Sequence, residues 1–570
     1  MAEPISIKHS RPGNMDLIKP FWTSSEKWPG ILLLSIILGI NFTTTYAFVA
    51  LNKLQGNLTD ALVALNWTSI RSTLLDTLGI GSISVALPLV GVLSIQYLTL
   101  RWRTWMTNNY LERWTEKRHY YRIERENLIS NSDQRIAEDI NLFTEITVNL
   151  STNIINVIVN VVTFTLILWN LSGTLSLPLG DISVNIHGYM VFAVYLYSFA
   201  QLALVHYLGK VLIGINMNKQ TVEADFRFLG MQLRENAEQI AFYNGGDREL
   251  NSLRSRFNKI RQNSLLLMRK TLKINLFQSV FSQLFSPLPT LLALPLLLTG
   301  KISLGGLTQI TMAYGSVLSA LSFFPQAYQS FTQWLALANR LRDLQWAMNK
   351  ADQQQSQIIL KTEGTSLLCR DLVLTRPNGV TLTHLSSWQV SPGERWLITG
   401  RSGCGKSTLL RAFAGLWPYG SGFISVPRPS STMFLPQKSY IPSGTLKNAL
   451  AYPADPDSFT DEQYRQALAD CQLTERANSL TVVECWQQVL SGGEQQRLAI
   501  ARLLLHRPAF IFMDEATSAL DSETENHLYR SVITRLPGSA MVSIAHRPEL
   551  TQFHSHCLTL TPVVTHSEKE

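Results

Sequence analysis

Long apolar runs, separated by polar and basic segments, dominate the first 335 residues of the chain. The runs lie near 30–51, 77–100, 147–170, 189–213, 274–299 and 304–334. Each has about the 20 residues that a helix needs to cross a bilayer. One such run could be a buried core helix, but six would require a soluble core of implausible size. The pattern predicts an all-α domain with six membrane-spanning helices.

Lys and Arg are concentrated in the second and fourth connections between these runs. Residues 101–145 contain eight of them and residues 214–273 contain eleven, whereas 171–188 contain none. Cationic residues near the ends of spans stay on the cytoplasmic side. Both termini and both basic connections are therefore predicted to be cytosolic.

The two basic connections are too long to be simple loops. Their mixed apolar and charged periodicity, as in Leu229, Leu233, Ile240 and Leu250, is typical of helix. We expect helical extensions of the spans at 101–145 and 214–273, where about 25 residues would reach nearly 40 Å.

The formal charge of +8 could suggest a nucleic-acid partner. The basic residues, however, flank apolar runs and do not alternate with aromatic residues, so membrane orientation is the favoured interpretation and no nucleic-acid partner is expected. The five cysteines all lie between residue 369 and the C-terminus, without metal-ligand spacing. Their odd number and spacing predict a reducing compartment for that part.

Beyond residue 350 the composition becomes polar, and short β-type runs alternate with helical ones, which predicts a mixed α/β domain. A glycine-rich loop follows the strand-like run 395–399 and precedes the helix-like run 409–416. It consists of Gly400, Arg401, Ser402, Gly403, Cys404, Gly405, Lys406, Ser407 and Thr408. In this context the glycines let backbone N–H groups surround phosphate oxygens, Lys406 reaches the terminal phosphates and Ser407 can bind Mg²⁺. This predicts an ATP-binding phosphate loop.

A second apolar strand, 510–514, ends in two carboxylates about a hundred residues after the loop. At this position Asp514 would orient Mg²⁺ and Glu515 would polarise the attacking water. Such a strand is weak evidence by itself, but with the phosphate loop it predicts hydrolysis of ATP.

The segment Leu490–Arg497, which reads LSGGEQQR, resembles the signature motif of ABC ATPases. The resemblance implies nucleotide contacts by Ser491, Gly492, Gly493 and Glu494, and a loop at 518–521 that crosses between subunits and ends at Asp521. It also implies that Gln437 senses metal and water and that His546 contacts the γ-phosphate. In that family the signature of one subunit closes over nucleotide held by the other, which implies two copies of this chain, most simply a homodimer.

One position departs from the family pattern. Where many relatives have an aromatic residue that stacks on adenine, this chain has Thr375-Arg376-Pro377. Either the guanidinium of Arg376 stacks on the base, or the base is held loosely.

Further segments, at 235–249, 415–418, 434–440 and 486–491, resemble the peroxisomal acyl-CoA half-transporters and their bacterial relatives. This resemblance implies an exporter-type fold, in a bacterial inner membrane or a eukaryotic peroxisomal membrane. Local rules place a turn at Gly245-Gly246, but the resemblance places the short helix of the fourth connection at 224–232, and we expect the latter.

The resulting division of the chain is an N-terminal segment 1–28, a transmembrane domain 29–345, a linker 346–364, a nucleotide-binding domain 365–556 and a tail 557–570. The interiors of the fifth and sixth runs lack charged residues, which favours ATP over an ion gradient as the energy source and an apolar or amphipathic cargo. Fatty acyl or acyl-CoA cargo is expected. The alternatives are a bacterial importer of peptides or cobalamin-like cargo, an ATP-gated channel or regulatory ATPase, and a soluble ABC ATPase acting on ribosomes or DNA.

Overall fold

The computed structural model describes residues 11–179, 182–354, 356–545 and 547–561. The chain forms two compact units, Met1–Asp352 and Gln353–Glu570.

The elements that the structure describes in the first unit are helices and one antiparallel hairpin. Its elements are α1 Met15–Thr23, α2 Lys27–Val63, α3 Trp67–Thr115, α4 His119–Arg125, α5 Ser132–Gln134, α6 Ile140–Leu171, β1 Thr174–Leu179, β2 Ile182–His187, α7 Tyr189–Glu235, α8 Ala237–Phe242, α9 Gly246–Phe285, α10 Leu288–Leu298, α11 Leu304–Leu321 and α12 Phe323–Gln353. A π-helical turn, Arg135–Asp139, joins α5 to α6.

All six predicted apolar runs are helical, but the last two are interrupted. The run at 274–299 is divided between α9 and α10, and the run at 304–334 is divided at Ser322 between α11 and α12. Within the described part of the chain, four helical stretches are long and apolar enough to cross a membrane: Lys27–Val63, Trp67–Arg125, Ser132–Leu171 and Gly246–Leu298. A shorter apolar stretch covers Tyr189–Ala203.

The two basic connections differ from the expected continuous helices. In the first, α3 stops at Thr115 because Lys117 and Arg118 adopt left-handed backbone angles (φ 49° and 60°). In the second, the short helix expected at 224–232 is wrong, since α7 runs unbroken through those residues to Glu235. The short helix is α8, and the chain reverses at Asn244 and Gly245 before α9, as the local turn rule predicts.

The first of the two basic connections, residues 101–145, is packed into a core within the unit. Buried residues of α1, α3, α4, α6 and α12, among them Phe21, Trp102, Ile123 and Leu341, form one cluster. The Phe21 and Trp102 rings stack with centroids 5.2 Å apart. Apolar side chains at helical spacing thus hold α1 and α12 against the base of α3.

The described residues of the second unit form a five-stranded sheet, a four-stranded sheet and a short two-stranded pair, with flanking helices. Its elements are β3 Gln357–Gly364, β4 Leu367–Thr375, β5 Thr381–Val390, β6 Arg395–Gly400, α13 Lys406–Phe413, β7 Gly420–Pro427, β8 Thr432–Leu435, β9 Gly444–Thr445, α14 Leu446–Ala451, α15 Asp461–Asp470, β10 Val483–Glu484, α16 Trp486–Val489, α17 Gly492–His506, β11 Phe510–Asp514, α18 Ser522–Arg535, β12 Ala540–Ile544 and β13 His556–Leu560. The predicted linker 346–364 spans the end of α12 and the whole of β3.

The larger sheet is parallel and has the order β13-β6-β12-β11-β8. The four-stranded sheet has the order β3-β7-β4-β5. In a parallel sheet the segments that follow the strands emerge at one edge, which is where such folds bind ligands. The segments after β6, β8 and β11 therefore meet at the carboxyl edge of the larger sheet.

Candidate active site

The segment after β6 forms a tight loop that leads into α13. Gly405 directly precedes α13 with φ 99°, and a Cβ there would lie 3.3 Å from Cβ of Leu382. Glycine therefore lets the loop approach β5 in a conformation that other residues rarely adopt. In the described part of the chain no side chain caps the start of α13, so the first N–H groups of the helix are left without a capping partner, as an anion site requires.

The side chain of Lys406 folds back over this loop. Its Nζ donates to the carbonyl oxygens of Gly400 at 2.8 Å and Arg401 at 3.4 Å, and the residue is buried. The thiol of Cys404 is also buried. An ammonium group held inside a ring of backbone can meet phosphate oxygens without first being ordered.

Ser407, the second residue of α13, reaches across to the end of β11. Its hydroxyl donates to Oδ1 of Asp514 at 2.9 Å. Burial raises the pKa of Asp514, and the hydrogen bond from Ser407 opposes that shift. A hydroxyl and a carboxylate are the oxygen ligands that Mg²⁺ prefers, with phosphates and waters completing its shell, so these residues fit a magnesium ion bound with nucleotide.

The residue after Asp514 faces the segment that follows β8. Nε2 of Gln437 donates to Oε2 of Glu515 at 3.1 Å. Glu515 has a left-handed backbone (φ 49°), and its N–H donates to the carbonyl of Ile544 at 3.0 Å. Strained conformations of this kind cluster at functional sites. The structure thus brings Lys406, Ser407, Asp514, Glu515 and Gln437 to the same edge of the sheet.

The signature residues begin α17. Ser491 caps the helix in a reciprocal arrangement: its Oγ accepts from the Glu494 N–H at 3.3 Å, and Oε2 of Glu494 accepts from the Ser491 N–H at 3.0 Å. Arg476 pairs with Oε1 of Glu494 at 2.9 Å. Partial burial acts to raise the pKa of Glu494, but the Ser491 N–H and Arg476 outweigh it and lower the pKa to about 2. Ser491 and Gly492 are themselves exposed.

The structure also places Asp521 and Arg376, two further residues predicted to belong to the site. Asp521 caps the amino terminus of α18, where its Oδ1 accepts from the Thr524 N–H at 2.8 Å. Arg376 is exposed in the turn between β4 and β5, where its N–H donates to the Val380 carbonyl at 2.8 Å. His546 lies outside the described residues.

Sequence reasoning missed Gln496, which lies within the signature segment. Gln496 is buried and its Oε1 accepts from the Ala519 N–H at 2.9 Å, so it joins α17 to the loop that precedes α18. The usable signal was its position inside the segment LSGGEQQR. The structure adds that Gln496 is buried, and a buried amide needs hydrogen-bond partners.

Comparison with known proteins identifies both units. Residues 17–298 match the ABC transporter transmembrane region 2 family, and residues 383–518 match the ABC transporter family. The inner membrane ABC transporter ATP-binding protein YddA of Escherichia coli is 32% identical over 553 residues, covering 96% of each chain. The chloroplastic ABC transporter D family member 2 of Arabidopsis thaliana is 29% identical, over 95% of this chain and 85% of that protein.

A solved structure of a bacterial Atm1-family ABC exporter with ATP bound has the same fold, with a TM-score of 0.71, 18% identity and coverage of 95% of this chain and 94% of that one. These findings confirm the exporter-type fold, the resemblance to D-family proteins and the membrane location. The chain therefore belongs to the ABC transporter family, as an integral membrane transporter that hydrolyses ATP.

Proposed function

We propose that two copies of this chain form a transporter in which Mg²⁺ and ATP are bound between them and drive an amphipathic cargo across the membrane. The observation that carries the hydrolytic part is the contact of 2.9 Å between Ser407 and Asp514, beside the buried Lys406 and the Gln437–Glu515 pair. This arrangement offers a cation ligand set, a phosphate-binding ammonium and a carboxylate that can orient water. Phosphoryl transfer needs mainly such positioning and charge neutralisation.

In this proposal Mg²⁺ would neutralise phosphate charge, held by the oxygens of Ser407, Asp514 and Gln437. Lys406 would leave its backbone carbonyl partners for the terminal phosphates, which offer a charged acceptor in place of a neutral one. Glu515, positioned by its strained backbone and by Gln437, would accept the proton of the attacking water.

The start of α17 supports assembly of two copies. Ser491 and Gly492 are exposed at the amino terminus of a helix whose following turns are buried. An exposed helix start with small residues allows close approach of an anion. A second copy could bring its nucleotide to this surface, and symmetry would then make two equivalent sites.

The parts of α7 and α9 within residues 214–273, beyond the predicted spans, independently support assembly of two copies. These helices pack on each other, yet large apolar side chains beyond the predicted spans remain uncovered, including Phe228, Met231, Phe257 and Met268, of which the last is 64% exposed. Among the residues whose burial the structure describes, the core that buries the first basic connection includes none from α7 or α9. Large exposed apolar surface outside the lipid is typical of a protein interface, so these helices would pack on the second copy.

ATP binding would draw the two nucleotide-binding domains together and switch a shared cavity between the two membrane faces, and hydrolysis would reset it. A cargo with an apolar part fits spans that lack charge in their fifth and sixth members. Fatty acyl or acyl-CoA compounds are the cargo class we favour.

The test is uptake into proteoliposomes that contain the full-length chain, with a fluorescent acyl-CoA, a labelled peptide and cobalamin as separate probes. We expect ATP-dependent accumulation of the acyl probe, lost in Glu515→Gln. As a control, Arg535→Gln removes an exposed ion pair with Asp470 (2.8 Å) and should transport normally.

Unchanged ATP hydrolysis in Glu515→Gln would contradict the assigned chemistry. Equilibration of the acyl probe without accumulation would indicate an ATP-gated channel. Accumulation of the peptide or cobalamin alone would contradict the proposed cargo class and leave the ATP-driven pump intact.

A further inference from the structure

The loop between β11 and α18, residues 516–521, is held on one side by α17. Both ends of the buried Gln496 amide contact it: Oε1 accepts from the Ala519 N–H at 2.9 Å, and Nε2 donates to Oγ of Ser518 at 3.4 Å. The helix that begins with the signature residues therefore fixes the middle of this loop.

On its other side the same loop is held by Arg547. The guanidinium donates from Nη1 to Oε2 of Glu525 at 2.8 Å and from Nη2 to the carbonyl oxygen of Leu520 at 2.8 Å. The hydroxyl of Thr517 donates to the other oxygen of Glu525 at 2.5 Å. One planar cation thus connects the loop, the first turns of α18 and the segment after β12.

Burial constrains the contacts among Arg547, Glu525 and Thr517. The Glu525 side chain is only 4% exposed, and a carboxylate so buried remains charged only when it is paired and hydrogen-bonded. Arg547 supplies the charge and Thr517 supplies the remaining hydrogen bond. Because an arginine fork satisfies two acceptors in one plane, small movements of either side would break one of the two bonds.

These contacts connect residues that the sequence assigns to different tasks. The loop ends at Asp521, which is predicted to reach the opposite subunit, and Arg547 directly follows His546 in the chain. Gln496 lies in the same helix as Ser491.

We propose that Gln496, Glu525 and Arg547 are positioning residues for ATP hydrolysis. They hold the loop that carries Asp521 in a fixed position relative to α17, the helix that begins at the signature residues. Closure of the two copies over ATP at one site therefore sets the geometry of the second ATP site. The inference rests on the proposed function, because the loop has an opposite site to act on only if two copies enclose the nucleotide.

The experiment measures ATP hydrolysis against ATP concentration for the full-length reconstituted chain and for Arg547→Gln, Glu525→Gln and the double variant. We expect kcat to fall by roughly ten- to a hundred-fold, the effect of misplacing a catalytic geometry by about 1 Å, with the KM for ATP nearly unchanged. Residues that act as one unit are not additive, so the double variant should be no slower than the slower single variant.

Two matched variants separate positioning from general stability. Arg535→Gln removes an ion pair from the same helix, α18, without touching the loop, and should keep the wild-type kcat. Arg547→Lys keeps the charge beside Glu525 but cannot serve both acceptors, so its kcat should lie between those of the wild type and Arg547→Gln.

If Arg547→Gln does not fold, Gln496→Met tests the loop from the side of α17, and the same loss of kcat at constant KM is expected. Wild-type kcat in folded Arg547→Gln or Gln496→Met would overturn the inference, as would additive losses in the double variant. Dimer-independent hydrolysis by the wild type would instead overturn the proposed function.

Discussion

The carboxyl edge of the parallel sheet and the start of α17 differ in how far one chain completes them. At the sheet edge each reactive side chain already has a partner within the chain: Lys406 on the Gly400 carbonyl, Ser407 on Asp514 and Gln437 on Glu515. At the start of α17, Ser491 and Gly492 are exposed, and Glu494 turns back to cap its own helix.

This difference indicates a division of tasks. In the proposed function the sheet edge is preorganised to hold phosphate and metal, and the ligand only has to displace internal hydrogen bonds. The start of α17 is rigid, because its cap is reciprocal, but it is directed outward. A rigid surface that its own chain does not cover is suited to complete a site on another molecule.

Removing the ammonium group at the sheet edge should have the largest effect. In Lys406→Ala we expect ATP hydrolysis to fall by about 100-fold or more, as when one preorganised donor to a developing anion is lost. The measurement is phosphate release at saturating ATP, with Lys447→Ala as the control, because Lys447 pairs with Asp461 away from this edge. Equal losses in the two variants would contradict a specific role for Lys406.

Removing the hydroxyl at the start of α17 should have a smaller effect. Ser491→Ala should lower hydrolysis by about ten-fold, the value of one hydrogen bond to a charged group, while nucleotide binding to a single copy is unchanged. Thr460→Ala removes the same type of reciprocal cap from α15 and is the matched control, since each variant should lose about 1 kcal/mol of helix stability. If Thr460→Ala loses as much activity, the effect is one of stability alone.

Acid should affect the two regions at different pH values, because the pKa values of their carboxylates are shifted in opposite directions. Burial raises the pKa of Asp514, so protons compete with Mg²⁺ at a higher pH than for an ordinary aspartate. The apparent KM for Mg²⁺ should therefore rise as pH falls, and Ser407→Ala should move that rise to higher pH because it removes a bond that lowers the pKa. Titration of hydrolysis with Mg²⁺ at several pH values measures this, and a KM independent of pH would contradict it.

Glu494 has a pKa that is shifted in the opposite direction from that of Asp514. Its pKa is lowered from 4.5 to about 2, so the stability it contributes is fully present above about pH 4.5 and is lost as pH falls towards 2. Any loss of activity between pH 7 and pH 5 should therefore be unaffected by Glu494→Gln.

The smallest effect is expected at the base-binding position. If Arg376 stacks on adenine, Arg376→Ala should raise the KM for ATP by about three-fold, the value of an exposed cation–π contact, and Arg376→Tyr should restore it. No change in KM would favour a loosely held base. Comparing ATP with GTP in the same assay tests base selectivity.

The residues that meet at the sheet edge could be identified from the sequence because the patterns that mark them are local. The loop 400–408 needs glycines and a lysine at fixed spacing, and the strand before Asp514 is uniformly apolar, so both are visible in short windows. The resemblance to ABC ATPases supplied the start of α17, which spacing alone would not have assigned.

Other features could not be predicted because they depend on distant contacts or on backbone angles without a residue signal. Lys117 and Arg118 end α3 in left-handed conformations although neither is glycine or asparagine. The short helix lies at α8 and not at the expected 224–232, because the turn before Gly246, and not the family resemblance, marks where the chain reverses. The Arg547–Glu525 pair joins residues on separate elements, which no local pattern reveals.

The central claim is that each ATP lies between the sheet edge of one copy and the α17 start of another, and co-assembly of two inactive chains tests it most directly. Lys406→Ala and Ser491→Arg would be purified separately and then together, with distinct tags that select mixed dimers. Between two copies, one site carries both defects and the other carries neither, so we expect hydrolysis to return, at up to about half the wild-type rate per dimer. Mixed dimers as inactive as the separate variants would contradict the account, because a site contained within one chain would be defective in both copies.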